Sequence, residues 1–323
     1  MLSASIAAVV IGLAALVWGA DRFVLGASAT ARSAGISPLL IGLVIIGFGT
    51  SAPEILVATL ASLQGNPALG IGNAIGSNIA NIALIVGIAA LIRPLTSGSS
   101  ILRRELPLLF AATALAGLLM LDGGLGRFEG VLLLTGLIAV TYLLARQARE
   151  TPPADDPLAT GLTEQLPPAM PLRTALAWTG IGLVVLLISS HALVWGAVNI
   201  AHALGISELI IGLTVVAIGT SLPELATAIA SALRREHELL LGNIIGSNLF
   251  NTLAVLGLPA LLHPSVLDAE VLTRDLPVMG LLTLAFIAML MHRPGRQGRI
   301  NRLEAAMLLG FFGGYMLWLF TSL

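Results

Sequence analysis

The chain has 323 residues, 57% hydrophobic and 10% charged, with a formal net charge of −1 and a mean hydropathy of +0.97. A soluble domain carries roughly 25% charged residues, so a water-soluble globule is excluded, and the near-zero net charge gives no sign of a nucleic-acid partner. The absence of cysteine excludes disulfides, thiolate metal sites and Cys nucleophiles, and continuous rather than alternating apolar runs exclude a porin-like barrel.

Apolar runs bounded by polar or Pro/Gly clusters predict an all-α membrane protein of ten transmembrane helices. The first five cover about 2–31, 37–63, 68–92, 106–121 and 128–146, near the ~20 residues a span needs. The opening run lacks a basic n-region and reads as a retained span, not a cleaved signal. Gln147 to Leu172 holds six prolines plus Asp155 and Asp156; it reads as a solvated linker between residues 1–146 and 173–323. The second five helices cover about 174–202, 207–233, 239–262, 275–291 and 302–321.

All 16 basic residues are arginine, and they sort by loop. Thirteen lie in odd-numbered loops and two, Arg127 and Arg274, in even ones, with Arg22 inside the first span. The positive-inside rule then makes the odd loops and the linker cytoplasmic and puts both termini outside.

At an offset of 170, residues 35–81 align without gaps to 205–251 with 22 identities in 47 positions. Such self-similarity marks a duplication. Each half holds five spans, an odd number, so equivalent helices should cross in opposite directions. Inverted repeats are the usual architecture of secondary transporters, with the site at their interface near mid-membrane; duplicated channels and membrane enzymes also exist.

Two motifs occur once in each half. The first is Gly49-Thr50-Ser51-Ala52-Pro53-Glu54, repeated as Gly219-Thr220-Ser221-Leu222-Pro223-Glu224. Pro53 and Pro223 offer no N–H to the carbonyls of Gly49 and Gly219, and unpaired backbone at membrane depth costs several kcal/mol. A bound cation would satisfy it. Thr50 and Glu54 share a helix face, as do Thr220 and Glu224. A proline kink alone is usually only a kink, but a mid-span carboxylate is a functional candidate by default, and here there are two at equivalent positions.

The second motif, Gly72-Asn73-Ala74-Ile75-Gly76-Ser77-Asn78-Ile79-Ala80-Asn81, returns as Gly242-Asn243-Ile244-Ile245-Gly246-Ser247-Asn248-Leu249-Phe250-Asn251. Asn73, Ser77 and Asn81 form one polar stripe about 12 Å long. Asn78 and Asn248, with Asn73 and Asn243, are expected mainly to hydrogen-bond between helices. Carboxylates, amides, hydroxyls and loosened carbonyls are hard oxygen ligands; without His or Cys they disfavour zinc, copper and iron and suit Ca²⁺. The two glutamates carry −2, which offsets one Ca²⁺ or two Na⁺.

These motifs resemble the α-repeats of the calcium/cation antiporter superfamily, specifically its prokaryotic sodium/calcium exchanger branch. The resemblance spans essentially the whole chain, with the repeat motifs over 42–81 and 212–251. It implies Na⁺/Ca²⁺ exchange by alternating access in a bacterial or archaeal inner membrane, with Ca²⁺, Na⁺ and lipid as partners and neither cofactor nor obligatory protein partner. It also implies that Glu54, Glu224 and the carbonyls of Thr50 and Thr220 hold Ca²⁺. Ser51, Ser77, Ser221 and Ser247 would help hold Na⁺, with Asn81 and Asn251 beside the centre. Some relatives have Asp at one of those two positions, so two carboxylates replace three and K⁺ co-transport is not expected. Helices 2, 3, 7 and 8 would be broken around the site, supported by Gly49, Pro53, Gly219, Pro223, Asn73 and Asn243. Long, tilted helices 1 and 6 would slide across that core. H⁺/Ca²⁺ antiport and, more remotely, an intramembrane enzyme using the paired glutamates are the competing readings.

Overall fold

The computed structural model describes residues 2–34, 47–97, 100–150, 170–291 and 298–321. Residues 37–46 of the second expected span and most of the Pro-rich linker lie outside them. The first half contains α1 (Leu2–Ser33), α2 (Gly47–Thr50), α3 (Ala52–Leu63), α4 (Pro67–Ile92), α5 (Ser100–Leu119) and α6 (Arg127–Glu150). The second repeats the order with α7 (Leu172–Leu204), α8 (Glu208–Thr220), α9 (Leu222–Arg234), α10 (His237–Leu262), α11 (Val271–Leu290) and α12 (Arg302–Thr321). Among the described residues, seven helices are long and apolar enough to cross a membrane, or eight when α8 and α9, bent by 45° to each other, count as one.

The helix breaks fall differently from the sequence expectation. The second and seventh runs are interrupted, at Ser51 and Ser221, where proline enters the next turn. The third and eighth, expected to be broken, run through as α4 and α10. Neither motif there contains proline, and glycine stays helical when flanking helices hold it. The distortion is instead a π-helical segment that begins at the end of each motif, Ala80–Ile85 in α4 and Asn251–Val255 in α10. Each motif's final asparagine thus lies at or beside a locally widened turn.

α5 and α11 also begin earlier than expected, at Ser100 and Val271. Charge had placed Arg274 and Asp275 at the boundary. Both are buried inside the helix because they pair with each other, Arg274 donating to Asp275 through Nε at 2.7 Å and Nη2 at 3.1 Å. The Tyr315 hydroxyl of α12 donates to the same carboxylate at 2.8 Å.

At 32 and 33 residues, α1 and α7 are each about 48 Å long, well beyond a ~30 Å hydrocarbon core, so they must tilt. They lie against each other in opposite directions: Gly12 meets Ser189 and Leu193, Gly19 meets Val185 and Leu186, and Gly26 meets Ala175 and Thr179. Near one end Arg22 stacks on Trp18 and Trp178.

The remaining helices interlock across the two halves. α12 packs on α4 at Gly87, against Leu309 and Ala305, and α6 packs on α10 at Gly257, against Leu133 and Leu134. Gly87 and Gly257 are 170 residues apart, so each half's last helix covers the equivalent spot on the other half. Two short antiparallel ribbons reinforce the exchange. β1 (Leu95–Ser97) and β4 (Gly298–Ile300) pair at the ends of α4 and α12, while β2 (Gly124–Leu125) pairs with β3 (Ser265–Val266). The larger hydrophobic core runs through α4, α5, α10, α11 and α12, and a smaller one lies between α1, α3 and α7.

Candidate cation site

Proline placement positions the glutamates. Pro53 and Pro223 sit in the first turns of α3 and α9, and Glu54 and Glu224 follow at once in those same turns. Each carboxylate therefore projects beside a helix N-terminus, where free N–H groups and the helix dipole favour negative charge. Both are buried, Glu54 at 0% and Glu224 at 1% exposure, and their charges act on one another.

The polar groups around them come from both halves. Ser221 donates to Glu54 Oε1 at 3.1 Å, and Ser247 donates to Glu224 Oε1 at 3.2 Å. The Thr220 hydroxyl lies against Glu54 and that of Thr50 against Glu224. Thr220 donates to Asn73 Oδ1 at 3.1 Å, and the Asn73 amide reaches back to the Glu54 backbone carbonyl at 3.2 Å. Asn73 thus bridges the interruption in one half to the turn carrying the carboxylate of the other. The corresponding contact, Thr50 to Asn243 Oδ1, is longer at 3.5 Å.

Several buried polar atoms have no hydrogen-bond partner among the described residues. They include Glu54 Oε2, Glu224 Oε2, Ser51 Oγ, Ser77 Oγ, Asn81 Oδ1 and Asn251 Oδ1. These six are motif oxygens; the motif amide nitrogens Asn243 Nδ2, Asn248 Nδ2 and Asn251 Nδ2 are also unpaired among the described residues. Buried polar atoms are seldom left unpaired, and a carboxylate oxygen is the costliest to orphan. A cation held among the six oxygens would satisfy them. Asn81 also donates its amide to Asn248 Oδ1 at 2.9 Å, and Asn78 donates to the Thr252 hydroxyl at 2.9 Å.

The repeat gives the site two flanks, one beside Gly72 and one beside Gly242. On one, Gly72 and Gly212 bring α4 and α8 into backbone contact: a Cβ on Gly72 would lie 2.5 Å from the Leu209 carbonyl, and one on Gly212 would overlap the Leu69 carbonyl. Gly76 continues this seam against Leu213 and Ala217, and Asn73 and Thr220 beneath it are fully buried. On the other flank Thr50, Asn243 and Gly246 are half-buried; there the residues equivalent to most of α8, 38–46, lie outside the described residues.

Sequence reasoning missed Thr252 and Met279, which engage Asn78. The signal was available in the repeat itself, where Thr252 replaces Ile82 and Met279 replaces Leu109. Among the residues singled out more weakly, Asp21 pairs with Arg22 at 3.4 Å and His191 meets Gln64 at 3.1 Å.

Apolar helices of spanning length with two carboxylates buried among them define an integral membrane protein, and its likeness to known exchangers makes it a transporter of the antiporter class, not an enzyme. The chain belongs to the sodium/calcium exchanger protein family, whose model matches residues 4–146 and 174–321. It is 43% identical over 318 residues to the inner membrane protein YrbG of Escherichia coli, covering 97% of this chain and 95% of that one. It is 30% identical over 361 residues to the sodium/calcium exchanger MaX1 of Methanosarcina acetivorans, covering 99% of each. Among solved structures, the sodium-calcium exchanger NCX_Mj soaked with Na⁺ and Sr²⁺ superposes with a TM-score of 0.65 at 30% identity, covering 98% of both chains.

Proposed function

We propose that the protein exchanges Na⁺ for Ca²⁺ across the membrane by alternating access, Na⁺ entry driving Ca²⁺ out. The observation that carries this reading is the buried pair Glu54 and Glu224, each with one unpaired oxygen, ringed by hydroxyl and amide oxygens of both halves. Glu54, Glu224 and the carbonyls of Thr50 and Thr220 take Ca²⁺ at the centre. Ser51, Ser77, Ser221 and Ser247 help hold Na⁺ in flanking positions, with Asn81 and Asn251 beside the centre.

Charge supplies the coupling. One Ca²⁺ or two Na⁺ neutralise the two carboxylates, and the sites overlap, so both loads cannot be carried together. An empty pair of buried carboxylates is costly to enclose. The unloaded carrier therefore does not turn over, and one ion leaves only as the other arrives.

The chain is read as ten spans in two inverted five-helix repeats, residues 1–146 and 173–323, joined by a cytoplasmic linker over 147–172, with both termini outside. The opposed course of α1 and α7 and the reciprocal packing at Gly87 and Gly257 support the inversion. In that orientation the α4–α8 seam faces outward, and the flank at Thr50 and Asn243 faces the cytoplasm. α1 and α7 slide together across the site to exchange the two.

The test is ⁴⁵Ca²⁺ flux in liposomes holding purified protein, with Na⁺, K⁺ and H⁺ gradients imposed separately. Na⁺ should drive uptake without K⁺, and Glu54→Gln or Glu224→Gln should abolish it while leaving the protein folded. Flux driven equally well by a pH gradient without Na⁺ would assign the same site to H⁺-coupled exchange. Normal flux in either glutamine variant would remove the site.

A further inference from the structure

Asn81 and Asn251 occupy equivalent positions in the two repeats, yet their amides are held differently. Asn81 donates its Nδ2 to Asn248 Oδ1 at 2.9 Å, and its own Oδ1 and the Nδ2 of Asn248 are unpaired among the described residues. Asn251 has neither Oδ1 nor Nδ2 paired among the described residues, although it is fully buried. The mirror image of the first bond would join Asn251 to Asn78, the residue 170 positions before Asn248. Asn78 is engaged elsewhere, donating to Thr252 Oγ1 at 2.9 Å and to Met279 Sδ at 3.4 Å, with its own Oδ1 unpaired. The first repeat has Ile82 and Leu109 at the matching positions, and neither side chain can accept a hydrogen bond.

We propose that Asn248 is a positioning residue that holds the Asn81 side-chain oxygen toward the bound cation, while Thr252, by engaging Asn78, leaves the Asn251 amide free to turn. The proposal rests on the cation-site reading above and adds a specificity device to it. An amide offers a cation one attractive end and one repulsive end, and which end it presents depends on what the other end is bonded to. With its NH₂ committed to Asn248, Asn81 presents oxygen only and needs no rearrangement when an ion arrives. Asn251 must be turned and fixed by the ion itself. The two halves of a duplicated site thus become one rigid oxygen ligand and one adaptable one. Two differences within the repeat, Thr252 for Ile82 and Met279 for Leu109, supply the acceptors that divert Asn78.

Reconstituted protein tests this through the Ca²⁺ KM and kcat of Na⁺-driven flux in wild type, Asn248→Ala, Asn81→Asp and the double variant. Loss of one anchoring hydrogen bond should raise KM about threefold to tenfold, with kcat changed by less than about twofold. An Asp at position 81 presents oxygen whichever way it turns, so adding Asn248→Ala to Asn81→Asp should leave KM where Asn81→Asp puts it. The non-additivity isolates the positioning role from simple packing. Thr252→Val provides a second, nearly isosteric test: it removes the main acceptor that orients the Asn78 amide, lets Asn78 turn its Oδ1 to accept from the Asn251 amide, fixes the Asn251 oxygen and lowers the Ca²⁺ KM. An unchanged KM in Asn248→Ala, or an equal rise in both backgrounds, overturns the proposal. Should Asn248→Ala not fold, an unchanged KM in Thr252→Val overturns it instead. Failure of the underlying site reads differently, as wild-type flux indifferent to Na⁺ or as flux retained in Glu54→Gln.

Discussion

The glycine seam between α4 and α8 can be loaded directly. In Gly72→Ala the new Cβ lies 2.5 Å from the Leu209 carbonyl oxygen and 3.0 Å from the Leu213 nitrogen. Both neighbours are backbone, so they cannot swing aside, and relief requires α8 to withdraw from α4 by about 1 Å, at the ~1–3 kcal/mol typical of overpacking. The cost falls only on the arrangement in which the seam is shut. It therefore shifts the balance toward the arrangement with that flank open by a factor of about 5 to 150, at ~1.4 kcal/mol per factor of ten. The chain contains no cysteine, so Leu213→Cys, at a position 1% exposed, provides the single thiol. Its labelling by a membrane-impermeant maleimide should accelerate by that factor when Gly72→Ala is added, and Ca²⁺ exchange should fall as the carrier is biased to one side. An unchanged labelling rate in a protein that remains folded would mean that the seam does not open during transport.

Other outcomes follow from the same geometry. Asp275→Leu strips buried Arg274 of its ion pair and Tyr315 of its acceptor, and should destabilise the protein by about 3–5 kcal/mol, read as a lowered Tm in detergent. The double variant Arg274→Met with Asp275→Leu should recover most of that loss, since it leaves no orphaned charge. Ser221→Ala and Ser247→Ala each delete a hydroxyl bonded to a site carboxylate, and each should raise the Na⁺ concentration for half-maximal exchange about tenfold to a hundredfold, in keeping with the ~1.5–3 kcal/mol of hydrogen bonds to charged groups. Flux measured against Na⁺ checks both.

Much of the architecture could be read from residue order because membrane helices announce themselves by length and apolarity, and because the repeat supplied each element twice. The glutamates stood out for the same reason: carboxylates are too costly at mid-span to be incidental. Other features were out of reach. A π-helical segment such as Ala80–Ile85 has no composition of its own, so α4 and α10 were expected to break where they merely widen. Arg274 and Asp275 read as a helix boundary because a pattern of charges does not reveal that two of them neutralise each other inside. The diversion of Asn78 was encoded, in Thr252, but its meaning depended on which helix faced it.

The reciprocal placement of α6 on Gly257 and α12 on Gly87 bears on how such a chain is made. When the ribosome has released the first half, the face of α4 around Gly87 still lacks its cover, and that cover is a stretch near the far end of the polypeptide. Native closure of the early half must therefore wait for late synthesis, and neither half is a self-sufficient folding unit. Splitting the gene at the linker should accordingly yield two fragments that persist only when produced in the same cell.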